Sequence, residues 1–170
     1  FRASGKVSAA IVTAGAGATN AVTGVVSNWA DSIPGFIISG NESSYHIKEH
    51  SKLRMYGTQG LNITKMVEDV TKYSHCLMNE KDIQSELEKC LQVTMEDRKG
   101  PTWLDIPFDL QPKMVNKRPW EKKNITKELV LKNYSESLIN SINSAKRPLI
   151  LGGNANLLPN TINKSQFCTI

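Results

Sequence analysis

The chain has 170 residues, 39% of them apolar, and a formal net charge of +5. That length allows one domain or one and a part, and no apolar run approaches the ~20 residues that span a bilayer, which excludes a membrane-crossing helix. The positive charge is scattered. Its densest run, residues 113–127 (KMVNKRPWEKKNITK), holds a single tryptophan and reads as a solvated interdomain segment, so no nucleic-acid partner is expected.

A short apolar run at residues 9–13 reads as a buried strand, followed by a small-residue turn at 14–18 and a helix at about 19–31. Ala21, Val22, Val25, Val26, Trp29 and Ala30 recur at helical spacing, and Thr19 is a candidate N-cap. Ser32-Ile33-Pro34-Gly35 stops the helix, because the residue before proline is pushed out of the α region. A second buried strand at 36–39 completes a β-α-β unit, which implies parallel strands. Its polar tip, Gly40-Asn41-Glu42, falls at the edge where open parallel sheets bind ligands.

Residues 43–60 lack clear periodicity and read as a loop with room for one helical turn. A short helix at about 61–67 and an extended piece near 72–75 follow. The strongest helix spans 79–95, with Ile83, Leu87, Cys90, Leu91 and Val93 on its apolar face and Asn79 or Asp82 as its cap. Arg98-Lys99-Gly100-Pro101 breaks it and leads into a strand at 102–106 (TWLDI), closed by Pro107-Phe108-Asp109-Leu110-Gln111-Pro112. After the linker, a helix at about 127–143, a strand at 148–151 and a Gly152-Gly153-Asn154 turn open a second α/β domain. The fold class is therefore α/β, a parallel sheet flanked by helices. The chain starts without Met and stops soon after a new strand, so it is expected to be a fragment truncated at both ends.

Cys76, Cys90 and Cys168 fit neither a metal-ligand spacing nor a disulfide framework, and Cys90 is expected as a packed free thiol. His46 and His50 stand four apart but lack the glutamate of HExxH and a third ligand, so no zinc site is expected. Triplets such as Asn62-Ile63-Thr64 come without a secretory signal, and the chain is read as cytoplasmic.

The turn Gly15-Ala16-Gly17-Ala18-Thr19-Asn20 admits three readings. A dinucleotide fingerprint would need glycine where Asn20 stands, with Glu42 as the ribose-binding acid. Alternatively, bare backbone lies against a flat heterocycle and Asn20 projects from the first helical turn into the same pocket. The third reading is a tight turn with no ligand. Gln59, between Gly57 and Gly60, is a candidate positioned side chain. Asp105 and Asp109 bracket Pro107 and suit capping and turn roles better than paired acid–base chemistry.

Taken together, ASGKVSAAIVTAGAGATNAVTGVVSNWADSIPGFIISGN, GTQGLNITKMVEDVTKYS and DRKGPTWLDIPFDLQ resemble the thiamine-diphosphate enzymes of the acetolactate-synthase and pyruvate-oxidase type. AKRPLILGGN resembles the first strand of that family's central domain. The resemblance implies a pyrimidine-binding (PYR) domain at 1–112 with its N-terminal part missing, a linker at 113–125, and the beginning of a central domain at 126–170. It implies that Gly15, Ala16, Gly17, Asn20 and Gln59 line the aminopyrimidine site, with Gln59 facing the active centre. It further implies a 2-keto-acid substrate, thiamine diphosphate and magnesium as cofactors, and a homo-oligomer (dimer or tetramer) with the site between chains; whether FAD binds is left open.

Two departures bear on this. Ala16 stands where the family turn usually has proline. The glutamate that activates the cofactor and the Gly-Asp-Gly magnesium motif fall outside these residues, so no catalytic residue and no metal ligand is assigned here, and the fragment alone is expected to be inactive. The parent function is a 2-keto-acid carboligase or decarboxylase, most closely acetolactate-synthase-like. The alternatives are a Rossmann-type NAD-binding oxidoreductase fragment and a truncated, non-catalytic paralogue acting as a dimer partner.

Overall fold

The computed structural model describes residues 1–116, 118–120, 136–147 and 149. The chain divides into two compact units, Phe1–Lys123 and Asn124–Ile170. In the second, the described element is one helix, Glu136–Ser144, overlapping the one expected at 127–143, whose residues 127–135 lie outside the described residues. The expected Gly152-Gly153-Asn154 turn and Cys168 lie outside the described residues, as does the expected strand at 148–151 apart from Leu149.

The first unit is a four-stranded parallel sheet with helices on both faces. Its strands are β1 (Ser8–Val12), β2 (Gly35–Asn41), β3 (Tyr73–Cys76) and β4 (Pro101–Pro107), in spatial order β1-β2-β4-β3. The helices are α1 (Ala16–Ala30), α2 (Ser44–Glu49), α3 (Ile63–Met66) and α4 (Ile83–Met95). The register aligns Ile37 with Trp103 and Ser39 with Asp105 in the two central strands.

Successive side chains of a strand point to opposite faces, and both faces of β2 and β4 are covered. Ile37 and Trp103 join Ala18 and Val25 of α1 with Ile63 and Val67 in one buried layer. Phe36 and Leu104 pack with Cys90 of α4 in the other. Cys90 is the packed thiol expected of it. Thr94, fully buried near the end of α4, accepts from the Gly35 N–H at 3.1 Å and donates to the Gly100 carbonyl at 2.6 Å. One hydroxyl thus fastens the starts of both central strands to the helix above them.

Three expectations require correction. The first strand is an exposed edge strand rather than a buried one, with Ile11 81% exposed. Helix α1 begins at Ala16, three residues earlier than expected, and the Thr19 hydroxyl donates to the Ala16 carbonyl at 2.9 Å instead of capping the helix. Residues 44–49 form a full helix, because the Ser43 hydroxyl accepts from the His46 N–H and nucleates the turn. The described residues of the expected linker, 113–116 and 118–120, are exposed, and Arg118 among them exchanges two hydrogen bonds with the Gln84 amide and meets Glu88 at 2.5 Å on α4.

Among the described residues no helix is long and apolar enough to cross a membrane.

Candidate functional site

The carboxyl ends of the strands carry the conspicuous backbone chemistry. β1 ends at Val12, and the chain turns through Thr13 and Ala14 to Gly15, which caps α1 at φ 63°, ψ −122° without any side-chain cap. That φ is accessible to glycine at no steric cost. Gly15 is buried, and a Cβ built on it would stand 3.0 Å from the Gln59 carbonyl oxygen and 3.1 Å from the Gln59 Cβ. A Cβ on Gly17 would strike the Thr13 methyl. Both glycines therefore have a packing reason as well as a conformational one.

The first turn of α1 contains no acidic side chain, and its first intrahelical bond runs from the Thr19 N–H to the Gly15 carbonyl at 3.1 Å. The N–H groups of Ala16, Gly17 and Ala18 precede it and have no intrahelical acceptor. Ala16 is exposed, and so is Asn20, the fifth residue of the helix.

Gln59 reaches Gly15 from the loop between α2 and α3. The Gln59 N–H donates to Glu42 Oε1 at 3.3 Å, and the Tyr56 N–H closes the loop on the Gly60 carbonyl at 3.1 Å. The loop lies directly on the Glu42 side chain: a Cβ on Gly57 would sit 2.8 Å from its carboxyl carbon, and one on Gly60 2.5 Å from its Cγ. His46 Nδ1 stands 4.0 Å from the other Glu42 oxygen.

Beneath the loop lies a buried polar network. Asp105 accepts from the Ser39 hydroxyl and from the Asn41 amide, each at 2.5 Å, and the Trp103 indole N–H donates to Ser39 Oγ at 2.8 Å. The same Asn41 amide donates to the Leu61 carbonyl at 3.0 Å, and its oxygen accepts the Glu42 N–H at 2.8 Å. Burial pushes the Asp105 carboxyl up to about 6, against the opposing pull of its hydrogen bonds from Ser39, Asn41 and Cys76. Burial and the neighbouring Asp105 push the Cys76 thiol up to about 12; burial and Glu86 do the same for Cys90. Both are unreactive thiols at neutral pH.

A cleft of about 420 Å³ opens at the ends of β1, β2 and β4, bordered also by Phe108 and Gln111. Of the five residues expected at the pyrimidine site, Gly15, Ala16, Gly17, Asn20 and Gln59, none borders this cleft. The structure brings Gln59 against Gly15. Asn20 remains exposed on α1, and the shared concave pocket expected for it and Gln59 is not the cleft at the strand ends.

Two carboxylates have different roles from those expected. Glu42, a candidate ribose-binding acid, is occupied with the Gln59 loop. Asp105 is neither cap nor turn residue but the centre of the buried network. The one local signal for Glu42 was the pair Gly57 and Gly60. Asp109 does take a capping role, though a long-range one: at the start of α2 it accepts the Ser44 N–H at 2.8 Å and hydroxyl at 2.7 Å. Partial burial works to raise its carboxyl, but these bonds and Lys113 hold it below the usual range. Among the described residues no group of three His, Cys, Asp or Glu could hold a metal ion.

Residues 1–68 match the family described as "Thiamine pyrophosphate enzyme, N-terminal TPP binding domain". The acetolactate synthase large subunit of Haemophilus influenzae is 36% identical over 108 residues, 64% of this chain and 18% of that protein. The large subunit of acetolactate synthase isozyme 3 from Escherichia coli is 28% identical over 165 residues, 91% of this chain and 27% of that protein. The chloroplastic acetolactate synthase of Arabidopsis thaliana is 28% identical over 162 residues, 89% of this chain and 23% of that protein. The chain spans about a fifth to a quarter of the length of these curated relatives.

Proposed function

We propose, from the premise that this chain is related to the thiamine-diphosphate-dependent enzymes of the acetolactate-synthase and pyruvate-oxidase type, that it supplies the pyrimidine-binding half of an acetolactate-synthase-like active site. The parent activity is decarboxylation of a 2-keto acid with carboligation. The observation that carries this reading is the packing of Gln59 against a buried, positive-φ Gly15 at the entrance to α1.

The residues suit the ring. An aminopyrimidine is flat and uncharged and presents both donors and acceptors along its edge. Gly15 and Gly17 leave the backbone bare, and the start of α1 offers N–H groups without an acidic side chain. Gln59 and Asn20 carry amides, which donate and accept without charge. When bound, thiamine diphosphate supplies the electron sink for 2-keto-acid decarboxylation. This chain's residues hold and orient its pyrimidine; the diphosphate and magnesium are held by groups other than those described. Completing the site requires a second polypeptide surface, so the working form is at least a homodimer.

The geometry is less hospitable to a dinucleotide. The Glu42 carboxylate takes the Gln59 N–H and lies under two glycines, where a ribose would need it free.

Calorimetric titration of the chain with thiamine diphosphate, thiamine and NAD tests the proposal. Binding of both thiamine compounds, weakened by Gly15→Ala and with no heat from NAD, is the expected result. A folded chain that binds NAD and neither thiamine compound overturns it.

A further inference from the structure

We propose that Glu42 is the positioning residue for Gln59, its side chain serving as the template on which residues 57–60 fold so that Gln59 is held beside Gly15. The proposal rests on the pyrimidine-site reading and adds to it a residue that touches no cofactor.

Three observations converge on Glu42. Its carboxylate accepts the backbone N–H of Gln59 itself at 3.3 Å, which fixes the main chain from which the amide projects. Its stem fills the space that side chains at 57 and 60 would claim: hypothetical Cβ atoms there would lie 2.8 Å from its Cδ and 2.5 Å from its Cγ. At 60 a side chain would meet the inner stem of Glu42 and, at 2.9 Å, the Tyr56 Cβ, so glycine there lets the loop descend onto Glu42, whereas at 57 only the carboxylate end would have to shift. Glu42 is itself anchored from below, since its N–H donates to Asn41 Oδ1 at 2.8 Å and Asn41 is buried between Asp105 and the Leu61 carbonyl. The route from buried sheet to exposed amide is therefore continuous: Asp105, Asn41, Glu42, Gln59.

The Glu42 side chain is only 20% exposed, although a surface carboxylate gains most from full hydration. It gives up water to hold a loop that is otherwise largely exposed from 51 to 59. A side chain whose backbone is already fixed loses less freedom when it engages a ligand. Glu42 thus acts on affinity through Gln59 rather than through contact.

The test uses the full chain as wild type, Glu42→Ala, Glu42→Gln, Gln59→Ala and the Glu42→Ala/Gln59→Ala double variant. Hydrogen exchange is followed without ligand, and thiamine diphosphate affinity by calorimetry. Glu42→Ala is expected to speed exchange across residues 57–61 about fivefold, the effect of one lost hydrogen bond, and to leave the β2 and β4 amides unchanged. Glu42→Gln, which keeps both the stem and an acceptor oxygen, should behave as wild type. In the Gln59→Ala background the Glu42→Ala change should cost almost no further affinity, as expected of coupled residues. Unchanged exchange in the loop, equal loosening of β2 and β4, or full additivity with Gln59→Ala each overturns the positioning role. A folded wild type that takes up no thiamine diphosphate overturns the underlying site reading instead, and the wild-type arm alone reveals it.

Discussion

Gln59 lies so close to Gly15 that the glycine cannot acquire a side chain without moving the loop that carries the glutamine. Gly15→Ala meets both obstacles at once, a left-handed φ of 63° and a contact of 3.0 Å to the Gln59 carbonyl. The variant should lose about 1–2 kcal/mol of stability, measured by urea unfolding. Thiamine diphosphate affinity should fall roughly tenfold or more, since a displacement of about 1 Å in a binding group is costly. An unchanged affinity would detach Gly15 from the site.

Ala16 is the first residue of α1, where proline is favoured: its missing N–H has no intrahelical acceptor anyway, and its ring presets a helical φ. Ala16→Pro should therefore fold and gain about 0.4–1 kcal/mol by restricting the unfolded chain. A raised melting temperature checks this. A loss of stability would show that the turn before α1 needs the Ala16 N–H.

Asp105 should make stability fall as pH rises. Its carboxyl is raised from 3.8 to about 6 in the folded chain, so the native state holds the proton more tightly than the unfolded state does. The stabilising contribution is full below pH 3.8 and is lost as pH climbs through 6. A shift of this size corresponds to about 3 kcal/mol. The stability difference between wild type and Asp105→Asn, followed by urea unfolding, should shrink by up to that amount between pH 4 and 6 and then level off. A difference that grows over the same interval would contradict the sign.

Thr94→Val keeps the shape of a fully buried side chain and removes its hydroxyl. The Gly35 N–H then has no acceptor from α4, and the Gly100 carbonyl loses its 2.6 Å partner. A cost of about 1–3 kcal/mol is expected in denaturant unfolding, with thiamine diphosphate affinity per folded molecule unchanged because Thr94 is remote from Gly15.

What could be read from the sequence follows from how local each cause is. The central strands were visible because both of their faces are buried, and Phe36-Ile37-Ile38 and Trp103-Leu104 record this as unbroken apolar runs. The same kind of run at Ala9-Ala10-Ile11-Val12 misled, because an apolar strand looks alike whether or not its sheet edge is covered. The start of α1 was placed late for another reason. Thr19 offered a side-chain cap, whereas the chain uses the backbone of Gly15 alone. At the site, the glycine turn and the glycine-flanked Gln59 are legible as candidates in the residues themselves and the family resemblance links them, while the roles of Glu42 and Asp105 are not legible. The partners of Asp105 lie on the neighbouring strand, 64 and 66 residues away in sequence, and no local pattern records such a distance.

That separation also sets an order of events at the ribosome. β1, α1 and β2 leave the exit tunnel as a unit whose sheet is still open, because the strand that closes it against Ser39 arrives 66 residues later. At ordinary translation rates the delay is on the order of several seconds, far longer than a helix needs to form. Until Asp105 appears, Asn41 lacks its carboxylate partner and the loop it steadies has no buried foundation. The glycine turn and helix are therefore made early, whereas the face that Gln59 completes is among the last features to mature. Substitutions in β4 should consequently act on the yield of competent protein as well as on its stability.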